Sequence, residues 1–398
     1  MAGDKKKGFR TVEAADMEEY KKKIREHRLK IVRAAALIAA VLLLVLAGIG
    51  LYLEFRQYEA FDIRSSAERS DTQGTKFAEF GGNILKYSND GAFYTDTSNE
   101  LIWNQTYEMT DPQIDICEEY VVIYDKGGTK VFILDRTGLQ GSLEMTMPID
   151  QVCVAAQGTV AVLMKQNSTA NVSLYDREGG FLASGEIHGE KGGYPIAIAL
   201  SDDALKLAVS MLDINQGSVK STITFYNYGS VGQNEIDNIV GVNSFENMVI
   251  PELRFVSSER MLAIGDSGLI IFEGTQKPQI AVEIPLEKQA KSIFYNDRYI
   301  GVVINNDSDE VTHHLLIYNI EGELRMEKDL GLEYSRIGFL SNNEILVQSE
   351  TACEIYTMRG IRKFCYEFDR ELYQIIPGGS GLNYTFVLQD ATEKVRLR

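Results

Sequence analysis

Basic charge, histidine, cysteine and tryptophan are all scarce in this sequence, and most of these scarcities remove a class of function. Lysine and arginine total 40 against 57 aspartates and glutamates, a net charge of −17 at pH 7. Nucleic acid is bound through lysines and arginines that neutralise phosphates, so it is no partner for such a chain. The only histidines are His27, His188, His313 and His314, and the four cysteines contain no CxxC, so no local spacing assembles a Cys/His metal cluster. Four cysteines do not make a disulfide scaffold either, and a chain of 398 residues buries enough core to do without one. GxSxG, HExxH and a glycine-rich phosphate loop are missing, so catalysis has no visible signature. One tryptophan, Trp103, is present.

What the sequence does contain begins with one long uncharged run. Residues 34–53 read AAALIAAVLLLVLAGIGLYL. At about 1.5 Å rise per helical residue, twenty residues cover about 30 Å, the hydrocarbon core of a bilayer. The run predicts a single transmembrane helix acting as an uncleaved signal anchor, because it starts after some thirty residues and exceeds the roughly 7–15 apolar residues of a secretory signal. Eleven lysines and arginines precede it against six acidic residues, which puts residues 1–33 in the cytoplasm as a basic, partly helical tail. The part beyond, with 51 acidic and 29 basic residues, carries about −22 and is expected outside the cell, where such charge favours solubility.

After residue 53 the period of the pattern changes. Short runs rich in β-branched and aromatic residues alternate with Gly, Asn, Asp and Ser clusters, which is a strand signal. Four strands fall within about 35 residues around Tyr120 to Tyr124, and a tight turn marks the unit: Asp135-Arg136-Thr137-Gly138, Asp176-Arg177-Glu178-Gly179, Asn319-Ile320-Glu321-Gly322 and Thr357-Met358-Arg359-Gly360. The first two are 41 residues apart and the last two 38, the period of a four-stranded propeller blade. The expectation is an all-β protein, a seven- or eight-bladed β-propeller with eight favoured, spanning residues 77–398. The linker 54–76 supplies the closing strand, at about 57–63, for a last blade that lacks its own. Strands apolar on both faces, such as Val160 to Met164, argue against a sandwich with one wet face per sheet.

In a propeller, first-to-second and third-to-fourth turns open on one face of the disc, and second-to-third connections and blade crossings on the other. The former read as short, the latter as long: 165–171, 213–221, 305–312, 185–194 and 229–247. Elaborated loops on a rigid scaffold carry binding, so Lys165, Asn167, Asn171, His188, Lys191, Tyr194, Asp213, Asn215, Lys220, Asn305, Asp307 and Asp309 are the candidate binding residues.

The repeat resembles propellers of the WD40 and quinoprotein kind in period, and Asp96 to Trp103, DTSNELIW, is similar to one quinoprotein repeat. A lone tryptophan departs from quinoprotein enzymes, which dock one in most blades. Gly81 to Gly91, Gly193-Tyr194-Pro195, Leu200-Ser201-Asp202, Lys206 to Ser210 and Phe225 to Gly229 carry a second likeness. Through them the whole chain resembles single-pass membrane proteins of clostridial Firmicutes whose outer part is a propeller-like domain of unknown function. That resemblance implies a Gram-positive cell envelope and no particular substrate.

The remaining candidates are weaker. Residues 305–310, NNDSDE, alternate oxygen donors as a calcium loop does but lack its glycine and twelfth-position glutamate. His313 and His314, adjacent on a strand, point to opposite faces. Cys353 and Cys365 are equidistant from Arg359 and so are expected opposite each other on neighbouring strands, as free thiols; Cys117 and Cys153 read as core residues of adjacent inner strands. Asp202, Asp203, Asp266 and Asp297 would have to converge near the axis to form an acid and base pair. The sequence therefore points to a binding or scaffold module of the envelope, without cofactor or metal, that meets the bilayer through 34–53 and a protein or wall polymer through the long-connection face. The rival is an enzyme acting on envelope glycans or with a quinone at the axis.

Overall fold

The basic segment and the uncharged run form one continuous α-helix, α1, Ala14–Phe55, with no glycine before Gly48 and no proline to break it. It belongs to the first of two units, Met1–Gln57 and Tyr58–Arg398. The structure, a computed structural model, describes residues 14–72, 74–188, 193–215, 217–305 and 313–398. Within α1, Met17–Leu46 holds a stretch long and apolar enough to cross a membrane, and its apolar side chains are uncovered: Leu37 is 67% exposed and Leu44 72%.

The second unit is an eight-bladed propeller. Seven four-stranded antiparallel sheets are built from consecutive strands: blade 1 (residues 76–106), blade 2 (112–144), blade 3 (149–188), blade 4 (194–246), blade 5 (252–285), blade 6 (290–330) and blade 7 (336–367). Blade 8 takes three strands from residues 372–397, and its outermost is β1, Phe61–Glu68, paired antiparallel with Ala391–Leu397. This closing strand starts at Phe61, later than residue 57, and runs on to Glu68. Blades stack through apolar layers: Val122 and Tyr124 of blade 2 pack with Val152, Val154, Val160 and Val162 of blade 3. Each such buried side chain contributes about 1.5–3 kcal/mol, and burial on both faces explains why these strands read as continuous apolar runs.

The turn marker has a physical cause. The carboxylate of Asp135 accepts from the Thr137 backbone N–H at 2.7 Å, as Asp176 does from Glu178 at 3.0 Å. The glycine closing each turn has positive φ, 131° at Gly138 and 81° at Gly322, where a side chain is strained. It also meets the outer strand of the preceding blade: a Cβ on Gly322 would come within 2.5 Å of Val282, and one on Gly179 within 3.1 Å of Leu143. Trp103 uses the same contact, its Nε1 donating to the Asp135 carbonyl at 3.1 Å. One blade therefore docks on the next through a glycine turn.

After each of these turns the fourth strand carries a β-bulge. The extra residue is Ile102, Gln140, Leu182, Val240, Ala281, Arg325 or Lys363 in blades 1 to 7. β1 has its bulge, Arg64, at the equivalent place, although no turn joins it to its partner. The bulge corrects one expectation. Tyr356 and Arg362 are symmetric about Arg359, but Lys363 then shifts the register, so Cys353 lies opposite Tyr366 and Cys365 opposite Glu354. All four cysteines are free.

Two further expectations change. The second-to-third connections of blades 3 and 4 are extended hairpins, not loops: Val160–Gln166 turns into Thr169–Tyr175, and Lys206–Asn215 into Ser218–Asn227. The stretch 229–247 lies elsewhere. Residues 228–238 connect the third and fourth strands of blade 4 with two short 3-10 turns, on the short-turn face, and Ile239–Glu246 is the fourth strand itself.

The ring closes over a buried ionic cluster. The Arg69 guanidinium sits 4.6 Å from the centroid of Phe77 in blade 1 and 5.4 Å from that of Tyr373 in blade 8. Its Nε is 2.5 Å from Asp71 Oδ2, whose other oxygen is 3.1 Å from Lys86 Nζ.

Candidate functional site

The inner strands of blades 2 to 6 line a cavity of about 160 Å³ on the inner side of the ring, with no residue from blades 7, 8 or 1 in its lining. Its polar residues stand two apart on each strand: Asp115 and Cys117 in Pro112–Cys117, Gln151 and Cys153 in Ile149–Val154, Glu252 and Arg254 in Glu252–Ser257. Asp202 and Tyr295 complete it. Alternate strand residues share a face, so this spacing was the available sequence signal, although the candidates drawn from the sequence leave out Asp115, Gln151, Glu252, Arg254 and Tyr295.

Arg254 reaches across the ring to Asp115, forming an ion pair through Nη1, while its Nη2 donates to the Ile116 carbonyl at 2.9 Å. The second Asp115 oxygen accepts from the Val154 backbone N–H at 2.9 Å. The Gln151 side chain bridges blades 3 and 4, donating to Ile198 O at 3.0 Å and accepting from its N–H at 2.9 Å. Tyr295 donates to Glu252 at 2.6 Å. The Asp115 charge raises the pKa of Arg254 further. Burial, helped by the Asp202 charge, pushes the Cys117 thiol up to about 12, and burial raises Cys153 and Tyr295 as well. Burial also raises Asp202, against the pull of Arg254. Beside Asp202 and the Tyr295-bound Glu252, the cavity thus holds neutral thiols and, in Asp115, a carboxylate whose two oxygens are both occupied, a set suited to structure and to binding small polar groups.

The sequence candidates distribute differently. Of Asp202, Asp203, Asp266 and Asp297, only Asp202 reaches the cavity. Asp203 turns to Ser201 Oγ at 2.5 Å, Asp266 accepts from the Val249 N–H at 3.2 Å and Asp297 pairs with Arg298 at 3.5 Å. His313 is buried against Lys291 and Tyr334, and His314 meets Asp329 at 2.7 Å on the other face. Among the described residues no group of three or more His, Cys, Asp or Glu is placed to hold a metal.

On the long-connection face, the hairpins of blades 3 and 4 bring candidates together: Tyr194 sits opposite Leu212 and Asp213 opposite Lys220. Lys165 is tied to Asp150 at 2.7 Å, Lys220 to Glu246 at 3.5 Å and Asn171 to Ser173 at 2.8 Å. Asn167 occupies a hairpin turn, with φ 57°. Tyr194 and Ile214 are 55% and 68% exposed. Asn305, at the end of Tyr299–Asn305, lies in blade 6, apart from this group. His188 and Asn215 are placed by backbone only, and Lys191, Asp307 and Asp309, with most of the 305–310 segment, lie outside the described residues.

A profile described as a family of unknown function, DUF5711, matches residues 54–397. The chain belongs to this family. The DUF5711 match covers the whole propeller with its closing strand, and α1 almost entirely precedes it. No curated protein matches the sequence. Among solved structures, Saccharomyces cerevisiae Sqt1 is similar at 11% identity over 86% of this chain and 100% of that one, TM-score 0.53. Apo AztD from Citrobacter koseri is similar at 11% identity over 77% and 90%, TM-score 0.52. BamB from Moraxella catarrhalis matches at 13% identity over 85% and 100%, TM-score 0.49. For the first two the likeness is one of fold alone.

Proposed function

We propose that this DUF5711 protein is a membrane-anchored binding module: α1 spans a bilayer, the propeller stands outside the cell, and the hairpin face of blades 3 and 4 engages a protein or wall polymer of the envelope. The observation that carries the binding reading is the state of this inner cavity. Asp115 is held by Arg254 and the Val154 N–H, and Cys117 and Cys153 are held protonated, so this carboxylate and both thiols are committed to the fold. The projecting hairpins expose Tyr194 and Ile214 on one face, and Asp213, opposite Lys220 in the register, on the other, so they offer an apolar and a charged surface, both of which occur in interfaces.

Site-specific photo-crosslinkers at Tyr194 and Asp213 in intact cells test this reading, with Thr137 on the opposite face as control. One reproducible adduct from the hairpin positions alone is expected. Adducts of equal yield from Thr137, or none from the hairpins, overturn it. Protease protection of the propeller in sealed cells, lost on permeabilisation of the wrong compartment, overturns the orientation.

A further inference from the structure

The rim of blade 8 reverses the charge of the ring. An open groove of about 720 Å³ runs between blade 8 and the turns of blade 1, and Arg64, Lys394 and Arg396 line it without any carboxylate. Lys394 Nζ donates to Ser98 Oγ of blade 1 at 2.7 Å. Asp62 lies opposite Arg396 in the strand register but is engaged by Arg398 at 3.6 Å. Arg64 and Arg396 make no ion pair with the described residues.

Arg64 is the bulged residue of β1, and bulges re-aim the side chain they carry. Of the seven equivalent positions, two hold cations: Arg325 is paired with Glu323 at 3.4 Å and Lys363 with Glu344. Arg64 is the cation at this position that has no carboxylate. Two unpaired guanidinium groups offer forks of N–H donors, the geometry that recognises phosphate in a bidentate manner, and Thr97 and Asn383 add polar groups to the lining.

We propose that this groove binds the phosphate of an anionic phospholipid headgroup. The lipid source rests on the reading of α1 as an anchor. Phe61 follows Phe55, the last residue of α1, by six positions, and six extended residues span at most about 22 Å. The groove is lined by Gly82, Thr97 and Gly378 of the short turns, on the face where β1 begins. With α1 as the anchor, this covalent reach limits how far the start of β1 can lie from the bilayer surface, where basic residues are drawn to anionic headgroups.

The test uses native mass spectrometry of the full chain in non-ionic detergent, with dioctanoyl phosphatidylglycerol, dioctanoyl phosphatidylcholine and inorganic phosphate as probes. Retention of phosphatidylglycerol at least tenfold tighter than phosphatidylcholine or phosphate is expected, with a tenfold or greater loss in Arg64→Gln with Arg396→Gln. Both side chains are surface groups, and an unchanged melting temperature shows that the double variant is folded; Arg64→Lys, which keeps charge but loses the fork, is expected to fall between. Equal retention of phosphatidylglycerol by the folded double variant overturns the site. Phosphatidylcholine bound as tightly as phosphatidylglycerol, or phosphate bound as tightly as either, overturns the headgroup. Alkaline carbonate extraction reads the anchor separately, because the short-chain probes reach the groove whether or not α1 lies in a bilayer.

Discussion

Asp115 and Arg254, 139 residues apart in the chain, form an ion pair across the inner cavity from blade 2 to blade 5. The Asp115 side chain is 15% exposed and that of Arg254 33%, so each would be stranded in a largely dry site without the other. Removing one partner of such a charged hydrogen bond costs about 1–3 kcal/mol. For a ring of this size that lowers the melting temperature by about 3 °C. Arg254→Gln and Asp115→Asn are each expected to do so, and the double variant to lose less than the sum. A calorimetric cycle with additive losses would show that the pair is not coupled.

Asp71 is the carboxylate between two buried cations, Arg69 and Lys86. Burial lowers the pKa of both, against the pull of Asp71. Asp71→Asn leaves two positive charges facing each other at the junction that closes the ring, a loss of about 3 kcal/mol. Hydrogen exchange is expected to rise first in β1 and its partner strand Ala391–Leu397. Lys86→Met in the same chain should recover much of the stability; without that rescue, the charge balance is not what Asp71 supplies.

Much of this architecture is legible in the residues. The Asp and Gly of each tight turn announce the blade because both are needed physically, one to cap the backbone and one to admit the preceding blade at positive φ. The bulge is invisible at that level, since the extra residue ranges from Ala281 to Lys363 with no shared chemistry. Cys353 and Cys365 were misplaced by this one-residue shift. The stretch 229–247 reads as a long connection of the other face because its first residues imitate a completed short turn, Gly229 N donating to Asn227 Oδ1 at 2.8 Å, before the chain runs on through residues 230–238 to the fourth strand. The pair across the cavity was hidden for another reason: nothing in a sequence links Asp115 to Arg254 until the ring closes.

Burial raises the pKa of Glu79, on the inner strand of blade 1, with a hydrogen bond to Ser341 of blade 7 opposing it. A carboxyl whose folded pKa lies above the unfolded value near 4.3 holds its proton more tightly when folded. Its contribution to stability is present below that value and is lost as pH rises through the folded pKa. Glu79→Gln is therefore expected to be more stable than the parent at pH 7 and level with it at pH 4. Melting curves at the two values decide this, and a variant less stable at pH 7 refutes it.

Cys117 offers a direct reading of the cavity's electrostatics. With its thiol pushed up to about 12, only about one molecule in ten thousand carries the thiolate at pH 8. Alkylation by iodoacetamide in the folded protein is expected to be slow there and to climb tenfold per pH unit through pH 10. Asp202 lies 3.8 Å from the sulfur and its charge raises the thiol pKa after burial does. Asp202→Asn should move the profile to lower pH and accelerate alkylation at pH 8, while Asp203→Asn, whose carboxylate turns to Ser201, should leave it in place. A profile that does not shift in Asp202→Asn would mean that burial alone sets the thiol, and that the Asp202 carboxylate points away from the cavity in solution.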